Sequence, residues 1–214
     1  MPSVKIIIAT HKKYRMPDDE LNVHVQVGAE GKDDLGYTRD NTGDNISSLN
    51  PQFCELTGLY WAWKNLDADY VGLAHYRRHF RGKKKTKDPF DCVLTSKEAE
   101  ELLKDNDILV TKRRNYYIET IYDHYVHTLY PEPLDETRKI IEEKCPEYLP
   151  AFDKHMKEKT MHAFNMFVMK RELLQHYCTW LFDILFELER ELDMTGYSTN
   201  DRRVFGFVSE RLVY

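Results

Sequence analysis

The sequence predicts an α/β fold with a mostly parallel central sheet, flanked by helices and ending in a helical C-terminal part. Three observations carry this. Apolar β-branched runs come early, each run is followed by a loop or helix, and long amphipathic patterns dominate the last third. Val4 to Ala9 is a continuous apolar run closed by Thr10-His11-Lys12-Lys13, as expected of a buried parallel strand ending in a loop. Asn22 to Gly28 alternates Val23, Val25 and Val27 with polar neighbours, giving a second strand. Gly28 to Asn50, rich in Gly, Asp and Asn, reads as a long loop, and long loops in compact domains tend to be functional. Phe53 to Asn65 reads as a helix with Leu56, Tyr60 and Trp63 on one face. Strands follow at Asp69–Ala74 and Ile108–Thr111, separated by a basic loop and a short helix over Ser96–Lys104. Helices are expected over Tyr116–Tyr130 and Asp135–Lys144, and a strand over Met161–Met169. Arg171–Asp193, with apolar residues every three or four positions, is the longest helix. A last helix spans Asn200 to Leu212, capped by Thr199 or Asn200.

Length and composition narrow the class. The 214 residues, 42% of them hydrophobic, fit one domain with a packed core, with a first half of about residues 1–111 and a more helical second half of about 112–214. The net charge of −5 argues against a dedicated nucleic-acid binder. Fourteen Tyr, ten Phe and three Trp exceed the ordinary needs of a small core and suggest a cleft that stacks on something flat. Tyr60, Trp61, Trp63 and Trp180 are assigned mainly to packing, and Tyr76, Tyr116, Tyr117 and Tyr122 to stacking. Neither a secretion leader nor a membrane-spanning run is visible, so the expected location is cytoplasmic, with at most peripheral membrane contact. Cys54, Cys92, Cys145 and Cys178 show no paired spacing and read as reduced packing residues.

In open α/β sheets ligands collect beyond the carboxyl ends of strands, so the residues after each strand carry the chemistry. After the first strand stand Thr10, His11 and Lys12; after the third stand His75, Tyr76, Arg77 and Arg78. Seven basic residues and no acidic one lie between Arg77 and Lys87, a reversal of sign within an acidic protein. Paired arginines suit a phosphate or diphosphate, because guanidinium forks bind its oxygens in bidentate fashion. The Lys83–Lys87 part reads first as a solvated loop, with a contact for anionic headgroups as the alternative. His75 and His79 have metal-ligand spacing, but the flanking arginines disfavour a cation there. Asp67-Ala68-Asp69 and Asp105-Asn106-Asp107 precede strands, at the wrong end of the sheet for a cation that neutralises a leaving diphosphate. No divalent cation is therefore expected, with Mg²⁺ or Mn²⁺ the alternative. P-loop, dinucleotide-binding and nucleophile-elbow motifs are missing.

Six ordered segments carry a resemblance. They are Thr10-His11-Lys12-Lys13-Tyr14, Gly43-Asp44-Asn45-Ile46-Ser47, Cys54 to Asn65, Gly72 to Arg78, His162 to Phe167 and Phe207 to Leu212. Together they resemble a bacterial family of capsule, exopolysaccharide and O-antigen synthesis proteins, once catalogued as a domain of unknown function and related to GT-A-type glycosyltransferases. Some members use UDP-galactofuranose. The resemblance implies a GT-A-like (Rossmann-like) fold, a UDP-sugar donor, a glycan or lipid-linked glycan acceptor, and peripheral contact with the inner membrane. Relatives often continue beyond the segment matching Glu210-Arg211-Leu212, so a C-terminal membrane-docking or acceptor element found in them is expected to be absent from this sequence.

On that resemblance, Thr10, His11, Lys12, His75, Tyr76, Arg77 and Arg78 line the donor pocket. Asp44, Asn45 and Ser47 contact ribose or sugar hydroxyls, unless they serve only turns and caps. Asn165 recognises a sugar or is a buried amide bonded to backbone. Inverting transfer needs a carboxylate to deprotonate the acceptor. Asp201 is the leading base and Glu210 the second, the latter also able to pair with Arg211 or Arg78. Arg202 and Arg203 add phosphate contacts. The alternative function is a non-catalytic glycan- or phosphate-binding module.

Overall fold

The computed structural model describes residues 2–213. The chain divides into two compact units: the first runs up to Thr111 and adds Met166–His176, and the second comprises Lys112–Asn165 and the chain from Tyr177 on. Met166–His176 thus belongs with the first unit although it lies late in the sequence.

The first unit holds a six-stranded sheet of order β3-β2-β1-β4-β8-β5. Its strands are β1 (Val4–Thr10), β2 (Asn22–Gln26), β3 (Thr38–Arg39), β4 (Tyr70–His75), β5 (Ile108–Val110) and β8 (Phe167–Lys170). Strands β3, β2, β1 and β4 pair in parallel, and β8 runs antiparallel to both β4 and β5. Val4 to Thr10 forms a central strand because its side chains are buried almost without break, with Ile7 and Ile8 fully enclosed.

Between β3 and β4 stand α1 (Asn50–Phe53) and α2 (Leu56–Asn65). The single helix expected from Phe53 is broken at Cys54, whose φ of 53° is left-handed. The Asn50 amide donates to the Cys54 carbonyl at 2.7 Å and fixes that break. Helix α2 approaches the sheet closely at Gly58, where a Cβ would lie 2.8 Å from Val27 Cγ1. Helix α3 (Ser96–Leu103) opens on a capping box between Thr95 and Glu98.

The second unit contains a two-stranded ribbon, β6 (Arg114–Asn115) with β7 (Thr160–Met161), and helices α4 (Ile121–Val126), α5 (Glu132–Lys144), α6 (Leu149–Met156) and α8 (Val204–Ser209). Helix α7 (Arg171–Glu191) spans the boundary between the units along the chain. Three expectations need correction here. The helix expected over Tyr116–Tyr130 is confined to α4, because Tyr117 takes a left-handed φ of 63° and Thr120 caps the helix start. The strand expected over Met161–Met169 is two strands, split where Phe164 and Asn165 take φ values of 77° and 53°. The last helix begins as a 3-10 turn over Asp201–Arg203 with Asn200 at the cap position; its side chain makes no cap bond, and Ser198 Oγ accepts from the Asp201 amide at 3.2 Å.

Candidate functional site

Strand order places the candidate site. The chain leaves β1 toward β2 on one side and leaves β4 toward β8 and β5 on the other, so the connections diverge between β1 and β4. A crevice at such a divergence is the usual ligand position in open sheets. The register pairs Ala9 with His75, so both strand-end loops emerge side by side.

After β1, the buried Thr10 donates its hydroxyl to the Lys12 carbonyl at 2.7 Å and accepts from the Lys12 amide at 3.3 Å. Thr10 therefore shapes the turn that presents His11 and Lys12. After β4, His75 and Arg78 exchange backbone hydrogen bonds of 3.1 and 2.9 Å, closing a tight turn with Tyr76 and Arg77 at its tip. The Tyr76 amide donates to the Ala9 carbonyl at 3.1 Å and ties this turn to β1. Around the Tyr76 ring stand His11 and Tyr14, edge-on at 5.3 and 5.1 Å. Lys12 Nζ and Arg77 Cζ lie 5.4 and 5.7 Å from its centre. Cations held beside aromatic faces keep their charge while losing freedom, which prepares them for an anion.

Behind this turn a cavity of about 340 Å³ is lined by Arg77, His79, Arg81, Thr86, Lys87 and Cys92 among others. The Arg81 segment is held against Val93 by a backbone bridge, with Gly82 N–H donating to Cys92 O at 2.8 Å. Burial holds the His79 imidazole below its usual range. The basic run is divided in two. Its outer lysines meet carboxylates from neighbouring segments, Lys83 with Glu101 at 2.7 Å and Lys84 with Asp91 at 3.9 Å. Arg15 pairs with Asp88 at 2.7 Å. Arg77, Arg81 and Lys87 face the cavity instead.

The Gly43–Ser47 segment is more structural than expected. Ser47 is buried and donates to Asp40 Oδ1 at 2.5 Å. Asn45 bridges the Gly43 carbonyl and the Ser47 amide, and Asp44 accepts from Tyr60 Oη at 3.3 Å. Asp40, which the sequence reading missed, is fully enclosed and also receives hydrogen bonds from the Gly28 and Ala29 amides and Thr57 Oγ1 at 2.8, 3.0 and 2.6 Å. Its donors come from distant parts of the chain, so no local motif marks it.

The remaining candidates belong to the second unit. Asn165 is buried, with its amide donating to Gly206 O at 3.1 Å and its carbonyl accepting from Ser209 Oγ at 3.0 Å. These bonds match the buried-amide alternative for Asn165. Asp201 is half-buried and accepts from Ser198 Oγ at 2.7 Å. Arg202 donates to Tyr197 O at 3.2 Å, and Arg203 stands 5.1 Å from the Phe207 ring. Glu210 pairs with Arg211 at 3.2 Å.

Neither Asp-x-Asp pair of the sequence stands at the cationic turns. Asp69 precedes β4, at the edge of the sheet opposite the cationic turns, and accepts from Ser3 N and Oγ at 2.7 and 2.9 Å. Asp107 precedes β5 and pairs with Lys170 at 3.4 Å.

Fold and site together define an open-sheet α/β protein with a cationic, ring-lined crevice at its strand ends. The chain belongs to the family described as Domain of unknown function (DUF4422), whose model matches residues 5–214. A search of curated proteins finds no match. Among solved structures, the chain is similar to the apo form of the WbbM bifunctional glycosyltransferase, with 32% identity and a TM-score of 0.91. That match covers 98% of this chain and 41% of the other, so the chain spans less than half of that larger protein. The family is thus glycosyltransferase-related.

Proposed function

We propose that this chain is a glycosyltransferase unit that moves a sugar from a UDP-sugar to a capsular, exopolysaccharide or O-antigen glycan. The observation that carries this reading is the cluster of Lys12, Tyr76 and Arg77 at the divergence of β1 and β4, backed by the cavity that Arg81 and Lys87 line. Cations there neutralise the charge that develops on a departing UDP, the task a metal performs in other enzymes. The likeness to a bifunctional glycosyltransferase supports the same reading. His11, His75 and Arg78 complete the proposed donor shell, and UDP-galactofuranose is the first donor to test.

Asp201 is the proposed base, with Glu210 second, for an inverting displacement. The acceptor hydroxyl attacks the anomeric carbon as its proton passes to the carboxylate and the sugar–phosphate bond breaks toward UDP. UDP is expected to raise the thermal midpoint without added divalent ion, and Asp201→Asn to abolish transfer while UDP binding persists. Loss of transfer with EDTA and its recovery with Mn²⁺ would overturn the metal-free part. UDP-sugar binding without turnover across a donor and acceptor panel would favour a binding module.

A further inference from the structure

The second unit carries a surface feature that the donor site does not use. Between β6 and α4 the chain turns through Tyr116, Tyr117 and Ile118, and two large apolar side chains stand out into solvent. Tyr117 is 78% exposed and Ile118 86%, whereas the other exposed large hydrophobics lie between 39% and 44%. Scattered apolar residues on a surface are ordinary, but adjacent ones at the tip of a turn are not.

The tip is built to hold that display. Tyr117 takes a left-handed φ of 63°, which non-glycine residues adopt only when their surroundings enforce it. Its amide donates to Asn115 Oδ1 at 2.8 Å, and the Ile118 amide donates to Tyr116 O at 2.8 Å. Below, Tyr116 donates its amide to Lys159 O at 2.8 Å and stacks on His124 at 4.0 Å. His124 and His127 both approach the Glu119 carboxylate, at 2.9 and 2.8 Å.

The charge around the tip is mixed, with cations leading into it. Lys112, Arg113 and Arg114 precede the turn, and Lys159, just before β7, accepts from the Tyr116 amide through its carbonyl. The nearby carboxylates are already engaged, Glu158 with Arg113 at 3.1 Å and Glu119 with its two histidines. Arg114 lies 5.4 Å from the Tyr116 ring. An aromatic and an aliphatic side chain projecting beside cations match an anionic lipid surface: the rings and methyls enter the interface while the cations meet phosphates.

We infer that Tyr117 and Ile118, flanked by Lys112, Arg114 and Lys159, form a contact that docks this chain on anionic phospholipid membranes. The inference does not rest on the glycosyltransferase reading. It assigns the membrane contact to this tip rather than to the Lys83–Lys87 loop, whose outer lysines are matched by Glu101 and Asp91.

The test is co-sedimentation of the whole chain with vesicles of phosphatidylcholine alone or with about one third phosphatidylglycerol. Binding is expected to the anionic vesicles only and to weaken with salt. Tyr117→Ser with Ile118→Ser should lower partitioning by about tenfold or more, with the thermal midpoint unchanged. Ile118→Ser alone, which leaves the strained position intact, should give a smaller loss in the same direction, and Arg114→Gln with Lys159→Gln a loss of several-fold. No binding, equal binding to neutral vesicles, or binding that survives the double substitution would overturn the proposal. So would loss of binding only when Lys83, Lys84 and Lys85 are neutralised. Self-association of the parent chain, abolished by the double substitution in place of any vesicle effect, would make the tip a protein contact instead.

Discussion

Asp40 has no exposed surface, yet its carboxylate is satisfied by two backbone amides and the hydroxyls of Ser47 and Thr57. Removing it strands those donors in the interior, so Asp40→Ala should cost about 3 kcal/mol in urea unfolding, and Ser47→Ala about 1 kcal/mol. The cations at the strand ends act differently, because their partner is a ligand. Arg77 and Arg81 line the cavity, whereas Lys83 is held by Glu101. Each of Arg77→Ala and Arg81→Ala should therefore weaken UDP binding by about tenfold, the effect of losing one charge-assisted hydrogen bond. Lys83→Ala should leave it unchanged. Titration calorimetry separates the two cases; equal losses at all three positions would show a general electrostatic field in place of a defined site.

Elements are positioned by close packing and by caps. Helix α2 lies near the sheet because Gly58 carries no side chain, with Val27 Cγ1 2.8 Å and Ile7 Cδ1 3.4 Å from where a Cβ would stand. Gly58→Val should overpack that contact by about 1–3 kcal/mol, read as a fall in the denaturation midpoint, and Val27→Ala should recover part of it. What the residues reveal in advance follows from the same distinction. The buried run of β1, the apolar spacing of α7 and the Thr95–Glu98 box of α3 are local signals and locate their elements. The turn at Phe164–Asn165 is hidden, because the tertiary partners Gly206 and Ser209 enforce it against local preference, and the break at Cys54 is hidden because its left-handed residue is not a glycine and its fixing bond from Asn50 leaves no recognisable pattern. Strand β3 is two residues long and exists only because Gln26 and Val25 offer an edge. At the site, the strand-end cations are legible from position alone. The pairing of Lys83 and Lys84 with carboxylates beyond the loop is not, since those partners lie on other segments.

Over the whole molecule, the acidic balance of −5 coexists with histidines that folding keeps neutral. One such group lies in each unit: His79 behind the strand-end turn, and His155, which is 3% exposed, on α6. Burial lowers both imidazoles from their ordinary value of 6.5, although a hydrogen bond to Glu158 opposes the effect at His155. The unfolded chain consequently binds more protons than the folded one as pH drops below 6.5. The stability these groups contribute is complete above that value and is lost as pH falls through their lowered folded values. Carboxylates act later. Glu119 is lowered by hydrogen bonds to His124 and His127, and Asp153 by its bond to Arg138. Their contribution is lost only as pH falls below the ordinary values of 4.5 and 3.8 and through the lowered ones. Calorimetric melting should therefore show a first fall in thermal midpoint just below pH 6.5 and a second below pH 4.5. His79→Gln should shrink the first fall and leave the second intact. A profile flat down to pH 5 in the parent chain would mean that neither imidazole is held neutral by the fold, and that water reaches the cavity behind Arg77 freely.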